Sequence, residues 1–470
     1  MRSLDLNDTI AAIATTPGDS GIGIIRISGS NALEIADKIF SAKSKKNPSE
    51  FKNFTVHYGW IVDDRPSSIV YRPSTSIIDE VLLTVMRAPY SYTREDIVEV
   101  SCHGGIVAMR RVLELVLAKG CRLAEPGEFT KRAFLNGRID LTQAEAVLDI
   151  IRAKTDSALR MGVKQLEGGV SKAALKIQEK ILEVLSFIEA QIDFPEEDAV
   201  STDTGNARKL IFDINQELLA LISSSSQGKI MREGIRVVIC GKPNVGKSSL
   251  LNALLRIERS IVTSMPGTTR DTIEEILDIR GIPVRIVDTA GILNPRDVAE
   301  AKAVSRAKEY IKSADLILFV IDAHKKLSLQ DYALMRLLKK KKVIAVLNKI
   351  DLVCKVEIEK ITKIFPHKVE LSAKKSLHIE ALEEAIAEIF YKGKLVLNEP
   401  VLVSNQRHIE LLKKAQKHIA ASLVSLDNKV TLECISQDLK EGLSCLEDIL
   451  GKKFSDDILS KIFSKFCIGK

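Results

Sequence analysis

The spacing of apolar residues along the chain predicts several kinds of structure in succession. Short apolar runs typical of strands occur at 21–28 ("GIGIIRIS"), 79–86 ("DEVLLTVM") and 96–102, and the last of these continues into a glycine turn. Residues 106–120 have a helical pattern that stops at a glycine. These signals predict a compact α/β unit that extends to about residue 120.

From about residue 140 the apolar residues follow the period of an amphipathic helix. One stripe occupies 174–192, and a second follows the helix-breaking segment "DFPEED" (193–198). The polar run "SSSSQG" (223–228) indicates a loop. Another long stripe begins at Leu432, and stripes of this width are typical of the core of a helical bundle.

Between residues 235 and 391 strand signals alternate with helical segments. The strand signals are "IRVVICG", "VRIVDTAG", "ADLILFVID", "KKVIAVLNK" and "HKVELSA". Such alternation predicts a mainly parallel sheet with helices on both faces. Because helical segments precede and follow this region, the predicted fold class is α/β plus all-α, with a helical domain interrupted by an inserted α/β domain.

The segment "GKPNVGKSS" (241–249) matches the phosphate-binding motif G-x-x-x-x-G-K-[ST] and lies between a strand signal and a helix signal. Its glycines let backbone N–H groups turn toward phosphate oxygens, and the following helix adds positive potential. Lys247 would bring a cation to the β- and γ-phosphates, and the Ser248 hydroxyl would bind Mg²⁺.

Three further motifs follow strand signals in chain order: "DTAG" (288–291), "NKID" (348–351) and "SAK" (372–374). The Asp351 carboxylate can accept two hydrogen bonds from guanine, whereas adenine presents an acceptor at that edge. The segment "TSMPGTTRD" (263–271) is typical of a switch loop. Together these motifs predict GTP binding. The predicted GTP contacts are Asn244, Val245, Gly246, Lys247, Ser248, Ser249, Thr263, Ser264, Met265, Pro266, Gly267, Thr268, Thr269, Asp288, Thr289, Ala290, Gly291, Asn348, Lys349, Ile350, Asp351, Ser372, Ala373 and Lys374.

Sequence spacing alone does not identify the group that activates water for hydrolysis. Many GTPases place Gln directly after the glycine of "DTAG", but this chain has Ile292, which cannot orient water. The loop that follows offers four polar candidates, namely Asn294, Arg296, Asp297 and Glu300.

Composition and charge restrict the class of protein further. The 470 residues carry a formal charge of +7, which permits contact with a polyanion without requiring it. No apolar run approaches the ~18 residues that span a bilayer, and the N-terminus has no signal segment, so we expect a cytoplasmic protein. The seven cysteines show no Cys-x-x-Cys spacing, which argues against a zinc site, and we expect most of them to be buried.

Over its whole length the chain resembles the MnmE (TrmE) family of tRNA-modification GTPases. The resemblance is carried by segments 8–29, 99–105 ("EVSCHGG"), 122–146 and 192–198, by the GTPase motifs and by the ending "FCIGK". It implies an N-terminal α/β domain that dimerises and binds tetrahydrofolate, and a helical domain interrupted by a Ras-like P-loop GTPase domain. The expected boundaries are 1–121 for the N-terminal domain, 122–231 and 393–470 for the two parts of the helical domain, and 232–392 for the GTPase domain.

The resemblance also implies a reaction. Family members act as homodimers in a heterotetramer with the FAD-dependent partner MnmG (GidA), and add an aminomethyl or carboxymethylaminomethyl group to C5 of the wobble uridine of tRNAs. A 5-formyl or 5,10-methylene tetrahydrofolate derivative supplies the one-carbon unit. The implied folate pocket consists of Arg26, Glu99, Arg138 and Lys470. The tail would fold back toward the N-terminal domain with Cys467 near the reactive region, either as a catalytic thiol or as a packed cysteine.

The resemblance assigns the remaining site residues as well. It selects Glu300 as the water-activating group beside Lys247, while the switch-loop position of Thr269 already predicts this residue as a second Mg²⁺ ligand beside Ser248. The implied K⁺ ligands are Asn244, Thr263, Met265 and Thr268, with Met265 acting through its carbonyl. The alternative from another class is an RNA-binding GTPase switch in ribosome assembly, which would not need the four folate residues as one pocket.

Overall fold

The computed structural model describes residues 8–63, 76–193, 204–258, 274–288, 309–391 and 402–470. The chain divides into two compact units, one formed by Met1–Leu148 with Glu447–Lys470 and the other by Asp149–Leu446. The strands, in chain order, are β1 Ile10–Ile13, β2 Gly23–Ser28, β3 Phe40–Ala42, β4 Thr55–Asp63, β5 Ser76–Met86, β6 Ile97–Cys102, β7 Arg122–Leu123, β8 Ile235–Cys240, β9 Glu274–Ile279, β10 Ile282–Asp288, β11 Leu316–Asp322, β12 Val343–Asn348 and β13 His367–Leu371. The helices are α1 Ala32–Ile39, α2 Ile106–Ala118, α3 Glu128–Leu135, α4 Leu141–Arg152, α5 Asp156–Leu166, α6 Gly169–Asp193, α7 Thr204–Glu233, α8 Lys247–Glu258, α9 Leu329–Leu338, α10 Ile358–Thr362, α11 Ile379–Tyr391, α12 Gln406–Asp427, α13 Leu432–Leu450 and α14 Asp456–Phe463.

The first unit is built on a seven-stranded sheet of order β3-β4-β5-β6-β2-β1-β7. Its strands pair antiparallel except for β1 with β7. Side chains alternate across the sheet, so Ile25, Ile27, Val98 and Val100 enter the core that α1 and α2 cover. Arg26 and the residues flanking it in register therefore lie on the opposite face of the sheet.

A buried network of charges joins α3 to the start of β1 and to the turn before β6. The Arg132 guanidinium is fully buried and contacts the carboxylates of Asp8, Glu95 and Glu128. Arg122 binds Asp8 at 2.6 Å and Glu128 at 2.5 Å. Burial alone would raise the pKa of Glu128, but the hydrogen bonds from Arg122 and a backbone N–H outweigh it and hold that pKa below its usual range. The charged residues of segment 122–146 that belong to this network therefore have a structural role.

The second unit contains a six-stranded sheet of order β13-β12-β11-β8-β10-β9. All its neighbouring strands are parallel except β9, which pairs antiparallel with β10 at the edge. Every residue of β11 is buried, because helices cover both faces of the sheet. The prediction of a mainly parallel sheet is confirmed.

The helices before and after this sheet pack on each other. Helix α7 contacts both α6 and α12, which confirms one helical assembly with a domain inserted in it. The predicted loop at 223–228 is wrong, because α7 runs through it without a break. The serine hydroxyls bond to carbonyls three residues earlier, for example Ser224 to Leu221 at 2.8 Å. The Ser224 hydroxyl also accepts the Val403 N–H at 3.3 Å, so tertiary packing holds the helix despite its polar sequence.

The β9–β10 hairpin rests on the start of α5. The Asp278 carboxylate accepts the Gly281 N–H at 2.6 Å and also the Asp156 N–H, which is the first N–H of α5. Thr155 donates its hydroxyl to the Gly281 carbonyl at 3.3 Å. Gly281 has φ +85°, which strains any residue with a Cβ, and a Cβ there would lie 2.4 Å from the Ser157 Oγ and force that side chain to move. Burial raises the pKa of the Asp278 carboxyl despite these bonds.

Two predictions from composition have different outcomes. Within the described ranges, no helix has the length and apolarity needed to cross a membrane. The expectation that most cysteines are buried is wrong, because only Cys102, Cys121 and Cys240 of the seven are buried and three are exposed. The exposed ones lie on loops, at helix starts or in the tail, where no sheet covers them.

Candidate functional site

The phosphate-binding loop connects β8 to α8. The ammonium group of Lys247 lies inside it, 3.0 Å from the carbonyl oxygens of Gly241 and of Lys242. Gly246 has φ +101°, and a Cβ there would lie 2.2 Å from Nδ2 of Asn348. The loop therefore needs glycine at this position both for its backbone conformation and for its close approach to the next motif.

Asn348, at the end of β12, connects three of the predicted motifs. Its Nδ2 donates to the Val245 carbonyl at 2.8 Å, and its Oδ1 accepts the Ala373 N–H at 3.0 Å. Asn348 is buried, so these bonds form away from water and fix the motifs relative to one another. The Asn348 side chain therefore joins the phosphate loop to the segment that follows β13.

The base-recognition motif continues with Lys349 and Asp351. The Lys349 ammonium binds the Asn244 carbonyl at 2.9 Å and the Asp322 carboxylate at 2.7 Å. The Asp351 Oδ1 accepts the Ser372 hydroxyl at 2.6 Å, and this bond holds the pKa of the half-buried Asp351 carboxyl below its usual value. The ionised, oriented carboxylate is the acceptor that the N–H groups of guanine require.

The rest of the predicted nucleotide site is described in part. Asn244, Ser248 and Ser249 are exposed at the phosphate loop, Val245 is buried, and the main chain of Asp288 ends β10. The water-activating candidates, including Glu300, lie outside the described residues, as do the switch-loop residues. The latter are Thr263, Ser264, Met265, Pro266, Gly267, Thr268 and Thr269, and with them lie Thr289, Ala290 and Gly291.

Four residues of this site were missed by the sequence reasoning, namely Lys242, Asp322, Ser328 and Asp331. Asp322 ends β11, where the carboxyl ends of parallel strands gather binding residues, and that position was a usable signal. Ser328 and Asp331 form a capping box at the start of α9. No sequence pattern indicates that Asp331 also binds Lys242, since the two are far apart in the chain.

The four residues of the implied folate pocket lie in the first unit. Arg26 and Glu99 are cross-strand partners, and Arg26 Nε donates to Glu99 Oε1 at 2.7 Å. The Arg26 guanidinium lies 5.7 Å from the centre of the Tyr92 ring, and the Arg138 guanidinium lies 4.8 Å from the same ring. The structure thus places Arg26 and Arg138 over the Tyr92 ring, with Glu99 bound to Arg26, and the sequence reasoning did not select Tyr92.

The C-terminal tail reaches the same place. The Gly127 N–H donates to the Cys467 carbonyl at 3.3 Å, and the Phe129 N–H donates to the Lys470 carbonyl at 3.2 Å. Arg26 Nη1 donates to the Gly469 carbonyl at 3.3 Å. The tail contacts this group through its main chain, while the Cys467 side chain is exposed.

A parallel sheet with a phosphate loop after its β8 strand, and with an asparagine, lysine and aspartate motif after β12, defines a P-loop GTPase. The first and last parts of the chain match family models described as "GTP-binding protein TrmE N-terminus" (residues 9–138) and "MnmE helical domain" (residues 141–467). The chain belongs to the MnmE family of tRNA modification GTPases, and it is a GTP hydrolase.

Relatives match over almost the full length. The tRNA modification GTPase MnmE of Clostridioides difficile is 46% identical over 99% of this chain and 100% of its own. That of Alkaliphilus oremlandii is 44% identical over the same shares. That of Thermoanaerobacter pseudethanolicus is 46% identical over 98% of this chain and 99% of its own.

Proposed function

We propose that this GTPase drives a tRNA-modifying complex in the cytoplasm. With the FAD-dependent partner MnmG (GidA), it would install an aminomethyl or carboxymethylaminomethyl group at C5 of the wobble uridine, with a tetrahydrofolate derivative as the one-carbon donor. The observation that carries the proposal is the grouping of Arg26, Glu99 and Arg138 with the C-terminal tail. A GTPase that only switched an RNA assembly would not need this group.

The chemistry of the group suits a folate. Glu99 uses Oε1 for Arg26, and within the described part of the chain its Oε2 has no hydrogen-bond partner. That oxygen can accept from the amino and ring N–H groups of a pterin, while Arg138 and the Lys470 ammonium suit the carboxylates of the glutamate tail. The Arg26–Glu99 pair is about one-fifth exposed on each side, so a ligand can reach it.

A reciprocal dimer of the first unit fits its exposed sheet face. Val56 and Leu82 are 58% and 46% exposed on β4 and β5, and Tyr58 is paired with Leu82 in register. Across the sheet, Val56 pairs with Thr84, Thr84 pairs with Glu99, and Glu99 pairs with Arg26. The apolar strip of Val56, Tyr58 and Leu82 is therefore continuous, on the same face of the sheet, with the proposed folate residues Glu99 and Arg26. An apolar strip of this kind marks a protein-binding surface. We therefore expect the second copy to cover it beside the folate group.

The ions belong to the same proposal. The exposed Ser248 hydroxyl at the start of α8 fits a Mg²⁺ ligand, with Thr269 as the second. Asn244 would bind K⁺ together with Thr263, Met265 and Thr268, and K⁺ beside the phosphates would offset negative charge that develops during hydrolysis. Glu300 would orient the attacking water.

The decisive experiment measures 5-formyltetrahydrofolate binding by calorimetry and wobble-base modification in a reaction with MnmG, tRNA and GTP. Glu99→Gln should weaken folate binding about tenfold or more, because one charge-assisted bond is worth roughly 1.5–3 kcal/mol. It should also abolish modification, with GTP hydrolysis unchanged. Glu34→Gln is the matched control, since Glu34 is an exposed helix carboxylate whose cation within the described ranges is Lys38, one turn along the same helix. Folate binding by Glu99→Gln equal to that of the parent would contradict the pocket.

A separate experiment tests the dimer. Leu82→Asp should convert the protein to a monomer in light scattering at micromolar concentration, because it places a charge in the centre of the apolar strip. Val424→Asp is the control, since Val424 is 58% exposed on α12 and belongs to the second unit. A parent protein that is monomeric under the same conditions would contradict the proposed homodimer.

A further inference from the structure

Lys242 connects the phosphate loop to a helix that no nucleotide motif includes. Its ammonium group lies 2.6 Å from Oδ2 of Asp331 and 3.2 Å from the Ser328 hydroxyl. Its own carbonyl accepts the ammonium group of Lys247 at 3.0 Å. The main chain of Lys242 thus contacts the phosphate-binding lysine while its side chain is anchored on α9.

Asp331 is itself held in place. Its Oδ2 accepts the Ser328 N–H at 2.8 Å and the Ser328 hydroxyl at 2.7 Å, in addition to the Lys242 ammonium. Burial would raise the pKa of Asp331, but the hydrogen bonds from Lys242 and Ser328 outweigh it, so the carboxyl stays ionised. The cation that binds this fixed carboxylate is therefore fixed as well.

The contribution of the Lys242–Asp331 ion pair to the stability of the fold does not explain its presence. Asp331 is fully buried, and among the described residues its Oδ1 has no hydrogen-bond partner. A buried ion pair with an unsatisfied oxygen adds little to stability compared with apolar residues of similar volume. A role in fixing the geometry of the loop explains why an ionic pair occupies this place.

The same connection between β11 and α9 holds the loop at a second point. Asp322, at the end of β11, binds Lys349, and Lys349 binds the carbonyl of Asn244. The phosphate loop is therefore braced at Lys242 by its side chain and at Asn244 by its main chain. Both contacts lead back to the segment 322–331.

We propose that Lys242 and Asp331 are a positioning pair that holds the phosphate loop in its phosphate-binding conformation. The pair does not touch the base, and it acts on phosphates through the backbone of the loop. Its loss should weaken GDP and GTP equally, with the effect in Kd and KM more than in kcat. Preference for GTP over ITP should stay constant, because the base is recognised elsewhere, at Asp351. The inference does not depend on the folate chemistry.

The test uses fluorescent N-methylanthraniloyl-GDP and the full-length protein. Lys242→Met and Asp331→Asn should each raise the GDP dissociation constant about tenfold, which corresponds to ~1.4 kcal/mol. Lys242→Arg should restore most of the affinity. Lys360→Met is the matched control in the same sheet domain, because Lys360 is exposed and its partners in the described part of the chain are Glu357 and Tyr332.

The double variant provides a second criterion. If the two residues act as one unit, Lys242→Met with Asp331→Asn should weaken GDP binding no more than either single change. Additive losses would overturn the proposal, and so would a lowered melting temperature with unchanged GDP affinity, or a loss of GTP-over-ITP preference. Should Lys242→Met fail to fold, Asp331→Asn and Lys242→Arg still decide the question, because both keep the volume of the pair.

Discussion

Replacing Gly469 with alanine should release the C-terminal tail from the first unit. Gly469 has φ +95°, which costs an alanine roughly 1–2 kcal/mol. A Cβ at this position would lie 2.2 Å from the Ile13 carbonyl oxygen, and only a shift of the main chain can relieve that clash. Among the described residues, three hydrogen bonds hold the tail, from Gly127, Phe129 and Arg26. At about 0.5–1.5 kcal/mol each they supply roughly 1.5–4.5 kcal/mol. The strain alone reaches the lower part of this range, and the clash with the Ile13 carbonyl adds to it.

Hydrogen exchange of single amides is the direct assay. In the parent protein the Phe129 N–H bonds to the Lys470 carbonyl, so release of the tail should speed its exchange at least tenfold. Affinity for 5-formyltetrahydrofolate should fall by a similar factor, because the tail completes the proposed pocket. GTP binding should not change, since its motifs lie in the other unit.

Gly120 is a matched control that separates the effect of backbone strain from that of the steric clash. Gly120 also has positive φ, +115°, but a Cβ there meets nothing within 4 Å. Gly120→Ala should therefore leave the exchange of the Phe129 amide and the folate affinity as they are. If Gly469→Ala shows the parent's exchange rate at Phe129, the reasoning about the close approach to Ile13 is refuted.

Three further predictions follow from the two units. Asp351→Asn should shift preference from GTP toward xanthosine triphosphate in competition binding, because an amide N–H can donate to the xanthine 2-oxo group; unchanged GTP affinity with no gain for the analogue would count against the assignment. K⁺ should stimulate GTP turnover more than Na⁺ does, and Asn244→Ala should remove that stimulation in a phosphate-release assay while GTP still binds; equal parent turnover in both salts would contradict this. Arg132→Met should remove the cation that Glu95 binds, leave Asp8 and Glu128 with Arg122 as their remaining cation among the described residues, and destabilise the first unit by about 3–5 kcal/mol, seen in calorimetry as a fall of roughly 6–20 °C in its melting temperature, whereas Arg208→Met, which removes an exposed pair with Asp427, should have little effect; equal shifts for the two variants would refute the role of burial.

The elements that local pattern predicts well are those with strong periodicity. The strand ending at Cys102, the helix from Ile106 and the parallel strands of the GTPase domain are all confirmed. The nucleotide motifs could be located because each requires fixed residue types beside a strand end. The grouping of Arg26 with Glu99 could be expected only from the resemblance, since strand register is set by contacts distant in sequence.

The misses have physical reasons. The serine run at 223–228 has weak helix propensity, but its hydroxyls bond within the helix, and Gly228 packs against the Val403 carbonyl, so tertiary contacts override the local signal. Strand β4 and its pairing with β5 were also not predicted. The bond between Lys242 and Asp331 joins two locally unremarkable residues, and a capping box explains Asp331 without it. Long-range polar pairs of this kind leave no periodic trace in a sequence.

The contact between the β9–β10 hairpin and the start of α5 has a consequence for how the second unit unfolds. The first N–H of α5 is satisfied by Asp278, a residue of the inserted domain, and not by its own helix. Without the insert, α5 would begin with that donor unsatisfied by protein. Without α5, the hairpin turn would expose Asp278 and lose the contacts that require glycine at 281. We therefore expect the GTPase domain and the helical domain to unfold together in one cooperative transition, because these contacts join them. A fragment cut at the sequence boundaries would be less stable than the same residues in the whole chain.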